Sequence, residues 1–113
     1  MRTIPNAGQV AEQVLAATVV AVDGERMGGV GRLFLDDRTG EPAWITVTTG
    51  LLGKKDVLVP LDGARLTGGE LRLVVAAAAV KDAPEAQLDA YLTAELETRM
   101  REHYGLPPRG GRD

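Results

Sequence analysis

Residues 31–61, GRLFLDDRTGEPAWITVTTGLLGKKDVLVPL, place three runs of β-forming side chains in succession. An Asp/Gly/Pro segment separates the first two, and a loop containing Leu51 and Leu52 separates the last two. No other stretch constrains the fold as much, because β-branched and aromatic runs bounded by turn residues read as strands joined by hairpins. Such a pattern describes scaffolding and discloses no reaction.

The reading extends in both directions. TVVAV at 18–22 is followed by Asp23 and Gly24, a strong hairpin signal because glycine accepts the positive φ of a tight turn. The return strand runs through Gly28, Gly29, Val30 and Gly31 into Leu33, Phe34 and Leu35. No helix start or Walker spacing follows these glycines, so they read as bulges or bends and not as a phosphate loop. Residues 36–42 form a second hairpin connection. Their three carboxylates lack EF-hand spacing, and Asp and Gly are what turns require. A last pair, 64–66 and 70–75, flanks Thr67, Gly68 and Gly69.

The sum is a mainly β chain of about six short antiparallel strands, the pattern of a small barrel or rolled sheet whose closure removes exposed edges. Alternation assigns Val20, Val22, Leu33, Leu35, Ile45, Val47, Val57, Val59, Leu71 and Leu73 to the core. Pro60 belongs at a strand end or edge.

Helices flank this region. A short one is expected over 9–16, with Val10, Val14 and Leu15 on one side and an earlier start prevented by Pro5 and Gly8. Asp82 followed by Glu85 predicts a helix start, while Thr93 is a second candidate cap, leaving one helix or two. Leu88, Leu92, Leu96 and Met100, joined by Tyr91, form an apolar stripe, and Gly105, Leu106 and Pro107 mark its end. The organisation is then a lead-in over 1–16, a barrel-like domain over 17–84, a C-terminal helical extension over 85–106 and a flexible tail over 107–113.

Composition narrows the function classes. The 113 residues include no cysteine, no serine and one histidine, His103. Disulfides, thiolate metal sites, serine or cysteine nucleophiles and zinc sites of several histidines are excluded. No motif supports threonine, lysine or carboxylate catalysis, so the expectation is a non-enzyme without metal or cofactor. His103 reads as a helix-end residue. Thirteen Lys and Arg are scattered among sixteen Asp and Glu, and only Lys54 and Lys55 are adjacent, which argues against a nucleic-acid partner. No apolar run is long enough to span a bilayer, and polar residues interrupt the N-terminal segment where a secretory signal needs an apolar core. Membrane insertion is not expected, and a cytoplasmic location fits.

Several segments together resemble the PRC-barrel family: Asp23 to Gly28, then Leu33-Phe34-Leu35-Asp36-Asp37, Thr39-Gly40, Trp44-Ile45-Thr46-Val47, Thr49-Gly50-Leu51-Leu52-Gly53 and Val59-Pro60-Leu61. Val80 to Pro84 and His103-Tyr104-Gly105-Leu106 resemble segments of its free-standing bacterial members. The resemblance spans about 17–84, with weaker support to 106. It implies a small β-barrel serving as an interaction module, related to the cytoplasmic part of the reaction-centre H subunit and to the RimM-type ribosome-maturation factor. Ala76 to Ala79 stand where similar proteins often carry a Pro-Tyr segment, so a contact through that tyrosine does not transfer.

Two surfaces are candidates for a partner. On the side opposite the expected core, Phe34, Trp44, Leu58 and Val74 are apolar, with Phe34 able to lie opposite Trp44. Either the C-terminal helix covers them, using Leu88, Tyr91, Leu92 and Leu96, or a homodimer or protein partner does. The second surface is Leu51 and Leu52 beside Lys54 and Lys55, unless a leucine there plugs the barrel end. The expected function is a self-associating, non-catalytic adaptor. The alternative is a ribosome- or RNA-associated maturation factor. A small-ligand barrel would need a vacant interior, which the aliphatic core can fill itself.

Overall fold

The computed structural model describes residues 4–50, 55–86 and 92–108, with residues 4–9 described as backbone alone. The first element among the described residues is α1 (Ile4–Leu15), which starts earlier than Pro5 and Gly8 were expected to allow. Proline is tolerated in a first helical turn because its missing N–H has no intrahelical acceptor there. Of the three apolar residues assigned to its inner side, only Val14 is buried, and Val10 and Leu15 are exposed.

Seven strands follow: β1 (Thr18–Val20), β2 (Arg26–Gly29), β3 (Leu33–Leu35), β4 (Pro42–Thr49), β5 (Lys55–Pro60), β6 (Arg65–Thr67) and β7 (Glu70–Arg72). They form a four-stranded sheet in the order β2-β1-β7-β6 and a three-stranded sheet in the order β3-β4-β5. Among the described residues neither sheet closes into a barrel, which corrects the expected closed barrel of about six antiparallel strands. Two features account for the difference. β1 and β7 pair in parallel, Val19 beside Leu71, a long-range contact that no local turn announces. The return strand also splits, with β2 in one sheet and β3 in the other.

Gly31 lies at that split. Its N–H donates to the Thr46 carbonyl at 2.9 Å, and an added Cβ would stand 2.6 Å from Thr46 Oγ1. Only glycine permits this approach without displacing Thr46. Nearby, the register of β1 and β2 shifts between Val19 and Val20, and Gly28 has a φ of 91°, the bulge that the glycines predicted.

The three-stranded sheet is buried on both sides. Ile45, Val47, Val57 and Val59 share a core with Val19 and Leu71 of the other sheet, and Phe34, Trp44 and Leu58 on the opposite side are buried too. Two residues assigned to the core are exposed: Val22, beyond the end of β1, and Leu35, where β3 shifts register. Leu33 is half-buried.

A helix that the local signals missed, α2 (Ala77–Lys81), occupies the alanine run, consistent with the high helix propensity of alanine. Asp23 accepts a hydrogen bond from the Ala77 N–H at 3.1 Å, so the first hairpin turn caps this helix. Asp82 ends α2 instead of starting the next helix. That role falls to Thr93, whose hydroxyl accepts from the Leu96 N–H at 3.2 Å at the start of α3 (Ala94–His103). Gly105, at φ 71°, closes α3. Its N–H reaches the Glu102 carbonyl and that of Leu106 reaches the Arg101 carbonyl, the paired bonds of a Schellman end. Leu88 and Tyr91 lie outside the described residues. Among the described residues, no helix is long and apolar enough to cross a membrane.

Candidate interaction surface

The side bearing Phe34, Trp44 and Leu58 is sealed by the chain itself. Phe34 does lie opposite Trp44, but Trp44 and Leu58 are fully buried and Phe34 nearly so. The cover is α3. The Trp44 indole N–H donates to Glu97 at 2.9 Å, Met100 is buried in the core, and Leu92, Leu96 and Tyr104 pack against it. These three candidates are therefore internal contacts in this chain, and no outside molecule is needed to cover them. Val74, expected on this side, is instead exposed beyond the end of β7, next to Gly63.

Three further polar ties fix α3 and its C-terminal cap. Arg101, 5% exposed, pairs with Asp62 after β5 through two hydrogen bonds of 3.2 and 2.9 Å. The Tyr104 hydroxyl donates to the Leu58 carbonyl at 2.6 Å, and burial pushes its phenol well above the ordinary tyrosine range. The His103 ring meets the Ala79 carbonyl at 2.9 Å, so this residue joins α3 to α2. The same region blunts the outer edge of β5: Ala86 N–H reaches the Asp56 carbonyl, Tyr104 takes that of Leu58, and Pro60 has no N–H to offer.

The second proposed surface is placed only in part. Leu51, Leu52 and Lys54 lie outside the described residues. Lys55 opens β5 half-buried, and its ammonium donates to the Lys81 carbonyl at 3.3 Å.

A different surface emerges on the outer side of the four-stranded sheet. Val20 of β1 is registered with Arg26 on β2 and with Arg72 on β7, and Arg72 is opposite Arg65 on β6. Three arginines thus share one row across the sheet, spanning about 14 Å at ordinary strand spacing. All three are exposed. Glu70 sits between two of them, accepting from Arg26 at 2.9 Å and from Arg72 at 2.7 Å. The bridge passes over β1, where Val20 is buried. Beyond the strand ends the alternation persists: Ala21 and Leu73 are buried, whereas Val22 is 60% and Val74 53% exposed.

This row was hidden in the sequence because its members are scattered. Arg65 and Arg72 could have been found from the hairpin around Gly68 and Gly69, since each takes the outward position of its strand. Arg26 joins them only through the parallel pairing of β1 with β7.

Two sheets sharing one core and flanked by helices make this a small, mainly β domain. Among known protein families, residues 11–79 match the PRC-barrel domain, and the chain belongs to that family. The match takes in all seven strands and stops before α3, the element that seals Trp44. No curated protein matches the chain significantly.

Proposed function

We propose that this protein is a non-catalytic, cytoplasmic protein-interaction module whose docking surface is the outer side of the four-stranded sheet. One observation carries this reading: that side joins two exposed aliphatic residues, Val22 and Val74, to a row of three exposed arginines. Arginine is enriched in protein interfaces, and burial of exposed aliphatic surface supplies affinity without sequence-independent attraction to phosphate. Self-association, expected from the sequence at the Phe34 and Trp44 patch, is compatible with this role at the outer side of the four-stranded sheet.

A ribosome- or RNA-associated role is the second reading, and the arginine row favours it over what scattered basic residues suggested. Against it, the side carries no aromatic residue among the described ones, whereas sheets that read single-stranded RNA stack bases on aromatic rings. A photocrosslinking residue placed at Thr67 separates the two in native cells. The expected result is one recurrent protein adduct that persists at raised salt. Adducts to RNA alone would overturn the protein reading, and so would adducts no different from those formed at Thr98 on α3.

A further inference from the structure

The arginine row indicates the chemistry of its partner. Arg65 and Arg72 are directly opposite on neighbouring strands, an arrangement in which like charges repel. Glu70 neutralises Arg72 while also serving Arg26, and Arg65 has no ion-pair partner among the described residues. Three guanidinium groups therefore face one carboxylate, on a chain whose net charge is −3. Charge of the minority sign has been gathered on one side, next to Val22 and Val74.

Resting on the interaction-module reading, we infer that this side receives an acidic segment of a partner protein, with carboxylates on Arg65 and Arg72 and an aliphatic side chain on Val22 and Val74. Glu70 shows the geometry: a carboxylate already lies between two arginines at charge-assisted hydrogen-bond distance. It is also an internal competitor. An incoming carboxylate at Arg72 displaces one of the Glu70 contacts, while Arg65 offers the first unopposed point of attachment. In an extended segment, side chains on one face recur about every 6.7 Å. Two carboxylates two residues apart therefore fall within the row.

The test uses the full chain and a fluorescein-labelled peptide alternating glutamate with leucine, read by fluorescence anisotropy. Binding is expected to weaken with salt and to be lost when glutamine replaces glutamate. Arg65→Ala and Arg72→Ala should each weaken it about tenfold, the worth of one charge-assisted bond. Glu70→Gln should tighten it several-fold, by releasing Arg26 and Arg72. That gain distinguishes a competitor from a purely structural carboxylate, whose loss would only lower the melting temperature. Unchanged binding in both arginine variants overturns the inference, as does weaker binding in Glu70→Gln. It also falls if oligouridylate outcompetes the peptide, or if the row is occupied by a second copy in sedimentation without peptide. Protein adducts at Thr67 combined with no peptide binding would sink only this assignment of partner chemistry and leave the interaction module standing.

Discussion

The indole N–H of Trp44, at the centre of the three-stranded sheet, donates to the Glu97 carboxylate on α3 at 2.9 Å. It joins the most buried aromatic side chain among the described residues to the helix that encloses it. Glu97→Ala leaves a buried donor without this acceptor and should cost about 1–3 kcal/mol. The check is urea unfolding, with tryptophan emission in the native state shifting to longer wavelength as water reaches the indole.

Trp44→Ala removes the side chain itself and should cost about 3–5 kcal/mol, the range for deleting a large buried aromatic. Because α3 is the cover, hydrogen exchange should quicken along α3 while oligomeric state measured by light scattering stays as it was. A change of oligomeric state without faster exchange in α3 would return the Trp44 side to the list of partner surfaces.

Arg101 is buried and Asp62 is 35% exposed. Asp62→Ala should destabilise by about 2–4 kcal/mol, less than the ~3–5 kcal/mol for a fully enclosed pair because water partly screens the carboxylate. Arg101→Met together with Asp62→Leu should recover much of that loss, since a matched apolar pair leaves no uncompensated charge. Thermal melts of both variants decide it.

Tyr104 gives the fold an alkaline limit. Burial raises its phenol above the ordinary value of 10.0, so above that pH the unfolded chain releases a proton that the folded chain retains. The contribution is constant below about pH 10 and declines as pH rises further. Tyr104→Phe should cost about 1 kcal/mol near neutrality, for the bond to Leu58, and should flatten the alkaline decline. Parallel alkaline curves for the two proteins would refute this account.

Gly31→Ala should destabilise by about 1–3 kcal/mol through overpacking, because the new Cβ meets Thr46 Oγ1. Thr46→Ala in the same chain should restore part of the loss by removing the clashing atom. Failure of that rescue in guanidinium melts would place the strain elsewhere in the backbone.

Strands and turns were legible because their signals are local: Asp23-Gly24, the bulge near Gly28, and Gly68-Gly69 each act within a few residues. Thr93 and Gly105 marked the bounds of α3 for the same reason. Sides were less legible. Alternation separates Ile45 from Trp44 but does not say which side meets water, and here both are enclosed. Leu35 was misassigned because alternation was continued past a register shift, and Val22 because it shares with Val20 the side registered with Arg72, while Val19 takes the core side. The alanine run holds a helix capped by Asp23, fifty-four residues earlier, a partner that no local window contains. The arginine row depends on strand order, which is set by the whole fold.

The parallel pairing of β1 with β7 also governs how the molecule assembles. The hairpins β3-β4, β4-β5 and β6-β7 close short loops and can form early, whereas β1 must wait for a strand fifty-two residues further along. During synthesis the first hairpin therefore leaves the ribosome well before its second neighbour exists. β1 then has one side unpaired, a transient edge that makes this step the most exposed to misassembly with other chains.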